Sequence, residues 1–166
     1  ASESEIIVNA HKINAGEHVE LNKYSRDFLF LHRENANAVI SAMITLVKEK
    51  LPGYVQADMT DVQVMCPMRK GAAGVERMNI VLQEYLNPKD DAKNEKEFGN
   101  VMFREGDKVM QIKNNYQMEW EIRGKYGIAK GRGLGVFNGD IGIIRHISDY
   151  AQEVTVEFEE GKFVTY

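Results

Sequence analysis

The chain has 166 residues, of which 43% are hydrophobic and 28% charged, with a formal net charge of −4. This length suits one ordinary domain or two small ones, and the composition indicates a globular protein with a core. The net charge excludes a chain that is basic throughout, so any nucleic-acid contact requires a local patch. No stretch approaches the roughly 18 apolar residues of a membrane span. The single cysteine, Cys66, excludes an internal disulfide and favours a cytoplasmic location.

The first sixty residues predict two helices separated by a strand. Ile6–Asn14 carries an apolar helical stripe, and Asp27–Leu31 is a short apolar run typical of a buried strand. Ala36–Lys50 has the strongest helical periodicity, with Asn35 able to cap its start. Pro52-Gly53 is expected to end this helix, because proline and glycine are poor helix residues.

A second strand and a second helix follow. Asp61–Cys66 predicts a strand and Val75–Leu86 a helix, which Asn87-Pro88 closes. Strand and helix in this alternation indicate a parallel α/β unit with right-handed crossovers. Residues 89–100 are charged and nearly free of apolar side chains, so they predict a linker or mobile loop.

The connection between that strand and helix is a candidate anion site. Residues 67–74 contain Arg69, Lys70, Gly71 and Gly74, together with the free N–H groups of a helix start. Ligands gather at the carboxyl ends of strands in such sheets, which favours a contact to nucleic-acid phosphates. An ordinary strand–helix connection with solvated cations is the alternative. No Gly-Lys-Ser/Thr follows, so the loop is not an ATP-binding loop.

From about residue 101 the pattern predicts a small β-barrel. Lys108–Ile112, Ile141–Ile147 and Val154–Phe158 alternate with a period of two, and residues 159–162 predict a hairpin turn into Phe163-Val164. The predicted fold class is therefore α/β plus all-β, with a partial α/β domain over residues 1–100 and a barrel over 101–166.

Two segments of the barrel region carry polar groups suited to DNA. The amides of Asn114, Asn115 and Asn138 can donate to phosphates or base edges, and Tyr116 can stack on a base. Asparagine is also a common turn residue, so a purely structural role stays open. Asn138-Gly139 indicates a hairpin, with Phe137 expected in the core and Asp140 expected to fix the turn.

Between these segments lies a glycine-rich insert, residues 117–135. From Lys108 to Arg132 the chain has six basic and two acidic residues. The alternation from Gly131 to Gly135 predicts a flexible basic loop rather than a dinucleotide site, because no helix follows it. The aromatic residues Trp120 and Tyr126 could contact a single strand, or could pack the insert onto the barrel.

We expect no catalytic, cofactor-binding or metal site within the chain. The four histidines are scattered without metal-ligand spacing, and only one cysteine is present. Cys66 has no base partner that the sequence indicates, so it is most simply a small buried residue.

Several motifs together resemble the RecD-like helicases, including the exodeoxyribonuclease V alpha-subunit family. In chain order they are Ile6–Asn14, Asp61–Met68, Lys70-Gly71, Gly74, Met78-Asn79, Leu82–Glu84, Leu86–Pro88, Phe103, Gly106–Gln111, Asn114–Tyr116 and Val136–Gly142. Family members often have Ser-Pro-Met where this chain has Cys66-Pro67-Met68, so a hydroxyl contact to phosphate is not carried over to position 66.

The resemblance implies a superfamily-one DNA helicase that moves 5′ to 3′ on single-stranded DNA and hydrolyses ATP with Mg²⁺. It implies that residues 1–100 are part of the second RecA-like motor domain and that residues 101–166 are an inserted SH3-like barrel. The ATP-binding loop would lie elsewhere, so this piece is expected to be inactive alone and to bind no cofactor.

The implied role of the chain is DNA binding by Arg69, Lys70, Gly71, Gly74, Asn114, Asn115, Tyr116 and Asn138. Implied partners are single-stranded DNA, duplex junctions and the remaining helicase domains, without any membrane. The subunits of a nuclease complex are a further partner that the resemblance allows, and DNA repair and recombination the implied processes. The alternative function is a non-enzymatic module that docks proteins or domains.

Overall fold

A computed structural model describes residues 4–21 and 24–166. The chain divides into two compact units, residues 1–41 and residues 42–166, and each is described by itself. None of the described helices is long and apolar enough to cross a membrane.

In the first unit, helix α1 spans Glu5–Asn14 and confirms the first predicted helix. The predicted strand over residues 27–31 is wrong, because that segment lacks strand structure. Asp27 instead accepts hydrogen bonds from the Ser4 hydroxyl and from the Glu5 N–H, which is an orphan donor at the start of α1. Hydrogen bonding, chiefly from Ser4, holds the pKa of Asp27 below its usual value. A turn at Ser25, whose Oγ accepts from the Phe28 N–H at 2.7 Å, bends the chain just before.

Helix α2 spans Ala36–Thr45 and begins as predicted, since Asn35 Oδ1 accepts from the Ala38 N–H at 2.9 Å. A wider helical turn over Leu46–Lys50 follows, and α3 then spans Leu51–Val55. The predicted stop at Pro52-Gly53 is wrong. The helical run continues past Pro52 and Gly53 to Val55, and the wider turn over Leu46–Lys50 lies directly before this proline segment.

The second predicted strand, residues 61–66, is also wrong. Met59–Asp61 forms a short 3₁₀ turn capped by the Asp58 carboxylate, and residues 62–66 pair with no strand in the described part of the chain. A strand requires a hydrogen-bonding neighbour, and no parallel pair occurs among the described strands. The parallel α/β arrangement predicted from sequence is therefore absent from the described residues.

Helix α4 spans Val75–Leu86 and ends at Asn87, as predicted. The predicted linker over residues 89–100 is partly wrong, because β1, Glu95–Phe98, pairs with β2, Val101–Arg104, in an antiparallel hairpin. The Gly99-Asn100 turn between two strand-length runs is the signal that identifies this hairpin.

A network of polar side chains ties α4 to the strands that follow. The Gln83 and Asn87 side-chain amides each donate to the Asp107 carboxylate at 2.7 Å. The buried Arg104 guanidinium donates to the Asn87 carbonyl at 2.7 Å and to Glu95 at 3.0 Å. This network joins residues on both sides of position 100, where the sequence predicts a domain boundary.

The remaining strands form one six-stranded antiparallel sheet in the order β3-β6-β7-β8-β4-β5. Three of its strands and the turn after β7 confirm the predicted pattern: β3, Lys108–Met110; β6, Ile141–Ser148; β7, Glu153–Phe158. β8, Lys162–Thr165, follows the turn at Glu159–Gly161. The core consists of Val136, Ile144, Ile147, Val156, Phe158 and Val164, with Phe103, Val109, Met118, Trp120 and Val154 packed against it.

The insert is a hairpin and not the predicted flexible loop. β4, Asn115–Arg123, pairs with β5, Ala129–Val136. Gly133 lies opposite Trp120, and a Cβ at Gly133 would lie 2.2 Å from the indole ring. Glycine at this position therefore allows the indole to pack across β5, where we expected loop flexibility.

Candidate nucleic-acid interface

The two polar segments predicted from sequence are adjacent in the fold. The Gln111 N–H donates to the Asp140 carbonyl, and the Gly139 N–H donates to the Gln111 carbonyl, each at 2.8 Å. The Asp140 carboxylate accepts from the Phe137 N–H at 2.8 Å, which confirms its predicted role in the turn. The end of β3 and the β5–β6 turn thus form one edge of the barrel.

Asn114 and Asn138 are directly linked across this edge. The Asn138 N–H donates to Asn114 Oδ1 at 2.8 Å, although the two residues are 24 positions apart. Asn114 Nδ2 also approaches the Tyr116 hydroxyl at 3.4 Å. Asn114 therefore holds the edge together. We call residues 112–116 with residues 137 and 138 the Asn-Tyr edge.

The exposed groups of the Asn-Tyr edge are an amide and an aromatic ring. Asn115 Oδ1 accepts from the Gln117 N–H at 3.2 Å, and its Nδ2 group has no acceptor among the described residues. Tyr116 is 69% exposed and its ring meets Phe137 edge-on, with centroids 5.6 Å apart. Phe137 was expected in the core, but it is 43% exposed because it packs on this surface ring.

Side-chain hydrogen bonds of Gln111 and Tyr166 stabilise the Asn-Tyr edge. The Tyr166 hydroxyl donates to Gln111 Oε1 at 2.6 Å, and Gln111 Nε2 donates to the Lys113 carbonyl at 2.7 Å. Burial, and secondarily the nearby Asp140 charge, raises the pKa of Tyr166. The hydrogen bond from the Tyr166 hydroxyl to Gln111 helps to pre-organise the edge.

The loop of residues 67–74 satisfies its own backbone. The N–H groups of Val75 and Glu76 donate to the carbonyls of Met68 and Arg69, and the Gly74 N–H donates to the Gly71 carbonyl, each at 3.1 Å. These amides, expected to be free at the helix start, are thus occupied. The capacity of this loop to hold an anion rests on its side chains.

The two cations of the loop lie on its surface. Arg69 Nε is 3.0 Å from Glu76 Oε1, and the Arg69 side chain is 83% exposed. Lys70 is also exposed. Gly71 has a φ of +104°, and a Cβ at Gly74 would lie 2.6 Å from the Lys70 carbonyl, so both glycines shape the turn. The structure shows no contact that brings this loop to the Asn-Tyr edge.

The outer face of β4, β5 and β8 forms an open groove of about 850 Å³. Its lining includes Glu119, Glu121, Leu134 and Phe163. The Arg123 guanidinium lies 4.5 Å from the Phe163 ring centroid, and the Lys162 ammonium lies 4.8 Å from that of Trp120. Trp120 packs against the core and so joins the insert to the sheet, while it also lines this groove.

Metal ligands are not grouped within residues 4–21 and 24–166, where no three His, Cys, Asp or Glu side chains could hold an ion together. Cys66 is half-buried as a free thiol. The polar network around Asn87 and Asp107 was missed by sequence reasoning, although both residues lie in the motifs that carried the family resemblance.

Comparison with known proteins shows similarity to a helicase family and to a curated helicase. Residues 78–158 match the family described as the SH3 domain of ATP-dependent RecD-like DNA helicases. The chain is also similar to the ATP-dependent RecD2 DNA helicase of Deinococcus radiodurans, with 33% identity over 103 residues. That match covers 59% of this chain but 11% of the relative, so the chain spans a small part of the relative's length.

Proposed function

We propose that the chain supplies DNA contacts to an ATP-dependent helicase moving 5′ to 3′ on single-stranded DNA, because residues 78–158 match the SH3 domain of RecD-like DNA helicases. One observation carries this proposal: Asn114, Asn115, Tyr116 and Asn138 converge on one exposed edge. Two of these residues present groups toward solvent: Asn115 a side-chain NH₂ without an acceptor among the described residues, and Tyr116 a ring that is 69% exposed.

The chemistry of the Asn-Tyr edge suits a single strand. An aromatic ring can stack on any base, and a side-chain amide can donate to phosphate or sugar oxygens. Lys113 adds an exposed positive charge beside them. Contacts of this kind tolerate any sequence, as a motor that moves along DNA requires.

Arg69 and Lys70 are proposed as phosphate contacts, acting through their side chains. The Arg69–Glu76 pair is exposed, so it is weak and its guanidinium can exchange the carboxylate for a phosphate. Gly71 and Gly74 then act by shaping the loop.

ATP and Mg²⁺ would act elsewhere in the whole protein, since the residues present here do not fit them. The loop of residues 67–74 uses its helix-start amides internally. The described residues also group no metal-binding side chains. No catalytic step is therefore assigned to this chain, and the cytoplasmic location remains a prediction.

Residues 1–100 are proposed to belong to the second motor domain. Large apolar side chains are exposed in this region, including Met65 at 89% and Ile80 at 59%. Exposed apolar surface of this kind suits packing against other domains. The unpaired segment of residues 62–66 would become a strand if it gains a neighbour there, since its sequence has strand character.

The test is fluorescence anisotropy of a labelled oligo-dT strand against the 166-residue chain at several salt concentrations. We expect Asn115→Ala/Tyr116→Ala to weaken binding about five- to tenfold, since stacking is worth about 1–3 kcal/mol per base. Arg69→Ala/Lys70→Ala should reduce the slope of log affinity against log salt concentration. The reduction should correspond to the loss of up to two phosphate contacts. Lys48→Ala/Lys50→Ala, which removes the same charge from exposed positions, is the control. Equal affinity and salt slope in all four proteins would remove the DNA role.

The groove on β4, β5 and β8 favours a second candidate, a docking module for protein. The lining of this groove combines the apolar side chains of Leu134 and Phe163 with charged groups of both signs, Glu119, Glu121 and Arg132, a mixture that suits a protein partner. DNA–protein crosslinking distinguishes the two candidates. Crosslinks confined to residues outside 101–166 would favour docking over DNA binding as the role of residues 101–166.

A further inference from the structure

The tip of the β4–β5 hairpin is closed by backbone hydrogen bonds and presents an aromatic ring. The Gly124 N–H donates to the Ile128 carbonyl at 2.8 Å, and the Gly127 N–H donates to the Gly124 carbonyl at 3.2 Å. Tyr126 between them has a φ of +65° and is 97% exposed. A bulky residue rarely adopts this left-handed backbone, and such positions concentrate at functional sites. Trp120, in the same hairpin, packs on the core instead.

The tip also carries concentrated positive charge. Residues 123–132 include four basic residues and no acidic residue, in a chain whose net charge is −4. A Cβ at Gly124 would lie 2.4 Å from Lys130 Cε, so the Lys130 stem crosses the tip and holds its ammonium there. Arg123 is paired with Glu121 at 2.9 Å, which leaves Lys125, Lys130 and Arg132 as the available cations.

The adjoining acidic turn offsets this charge only in part. Residues Glu159–Gly161 lie next to β4, and Glu160 is paired with Lys162 at 3.4 Å. Glu159 is then the one carboxylate of that turn without an ion pair among the described residues. The tip therefore keeps an excess of positive charge.

An exposed aromatic ring among cations suits the binding of single-stranded nucleic acid. Successive bases stack on aromatic side chains while cations follow the phosphates in proteins that bind single strands. A protein partner fits poorly, because specific protein interfaces need about 800 Å² per partner with an uncharged centre. The tip offers only Tyr126 and Ile128 as exposed apolar side chains.

We propose that the β4–β5 tip is a second DNA contact, at which the Tyr126 ring stacks on an unstacked base while Lys125, Lys130 and Arg132 bind neighbouring phosphates. This second contact rests on the proposed function, because that function supplies DNA as the ligand. Its residues are separate from those of the Asn-Tyr edge. An unstacked base occurs both in a single strand and at a single-strand–duplex junction.

The experiment uses 2-aminopurine fluorescence in three DNA probes: an oligo-dT strand, a forked duplex labelled at its first unpaired position, and a blunt duplex labelled internally. We expect wild type and Tyr126→Phe to quench the strand, the fork or both, because the ring rather than the hydroxyl stacks. Tyr126→Ala should lose this quenching and bind about five- to thirtyfold more weakly. Quenching of the oligo-dT strand would show that the base comes from single-stranded DNA, and quenching of the forked duplex that it comes from a junction.

Tyr150→Ala is the matched control. Tyr150 is equally exposed, in the turn between β6 and β7, but it lies beside Asp149 and close to Glu153. This variant should bind as wild type does. Lys125→Ala/Lys130→Ala should reduce the salt dependence while retaining quenching at low salt.

Unchanged affinity and quenching in Tyr126→Ala would overturn the tip contact. If Asn115→Ala/Tyr116→Ala alone weakens binding, the proposed function stands and the tip contact is overturned. A wild-type chain that binds none of the three probes overturns both. Circular dichroism checks folding, which Tyr126→Ala should preserve because the ring is almost fully in solvent.

Discussion

The side-chain amide of Asn87 donates a hydrogen bond of 2.7 Å to Asp107 Oδ1 and a second of 3.0 Å to the Glu105 carbonyl. Asn87 Oδ1 accepts from Lys93 Nζ at 2.7 Å. One buried side chain at the end of α4 thus bonds to the turn before β3 and to Lys93. A Cβ at Gly106 would lie 3.0 Å from Asn87 Oδ1, so the turn needs glycine for this close approach. Side-chain hydrogen bonds therefore tie the end of α4 to the turn that leads into β3.

Asn87→Ala should lower the free energy of unfolding by about 2–3 kcal/mol, because it leaves buried polar partners unsatisfied. Urea denaturation followed by circular dichroism measures this change. Asn100→Ala, at an exposed position in the β1–β2 turn, is the control and should change stability by less than about 0.5 kcal/mol. Equal losses in both variants would argue against the network.

Breaking the Arg104–Glu95 pair should be more damaging still. Both side chains are largely buried, at 10% and 19% exposure, so Glu95→Gln leaves a buried guanidinium charge without its partner. We expect a loss of about 3–5 kcal/mol for Arg104→Ala or Glu95→Gln. Lys96→Ala breaks a pair whose Asp149 is 83% exposed and should cost at most about 1 kcal/mol. Thermal denaturation of the three variants compares them, and a similar midpoint for all would contradict the expectation.

Gly133→Ala should destabilise the hairpin by about 1–3 kcal/mol, because the new methyl group overlaps the Trp120 ring. Gly131→Ala, two residues away on the same strand, places its Cβ 3.8 Å from Ile122 Cδ1, an ordinary contact. This control should keep or slightly raise stability, since alanine has less freedom in the unfolded chain. Trp120 is the single tryptophan, so its fluorescence reports the packing directly. An unshifted emission maximum in Gly133→Ala would contradict the close approach.

Stability should depend on pH through Lys108. Its ammonium donates to the Val62 carbonyl at 3.2 Å, and burial lowers its pKa below the ordinary 10.5, although Asp61 acts in the opposite direction. Between the lowered folded pKa and 10.5 the unfolded chain binds more protons than the folded chain. Lys108 therefore makes the free energy of unfolding rise with pH across that window.

Lys108→Met and Lys108→Arg should both lack this rise, since neither residue titrates in the window. Urea denaturation from pH 8 to 10.5 measures the difference between each variant and wild type. Taking this difference removes the contributions of other groups, including that of Tyr166. A difference that stays constant with pH in both variants would show that Lys108 does not cause the dependence.

The local elements that need no distant partner were predictable from sequence. Helix α4 follows from its own apolar stripe and the Asn87-Pro88 stop, and the β6 and β7 strands follow from strict alternation. The Asn35 cap was likewise predictable, because it acts within one turn. The turn at Asp140 is equally local.

Tertiary structure alone decided the rest. Residues 61–66 have strand character, but a strand exists only with a hydrogen-bonding neighbour. The glycines at 131 and 133 look flexible in sequence, yet the Trp120 ring packed over Gly133 makes them strand residues. Asn114 and Asn138 are 24 positions apart, and only the fold shows that one holds the other while Asn115 and Tyr116 remain exposed. Sequence identified the candidate polar side chains, and the long-range hydrogen bonds and packing decided which of their groups stay exposed.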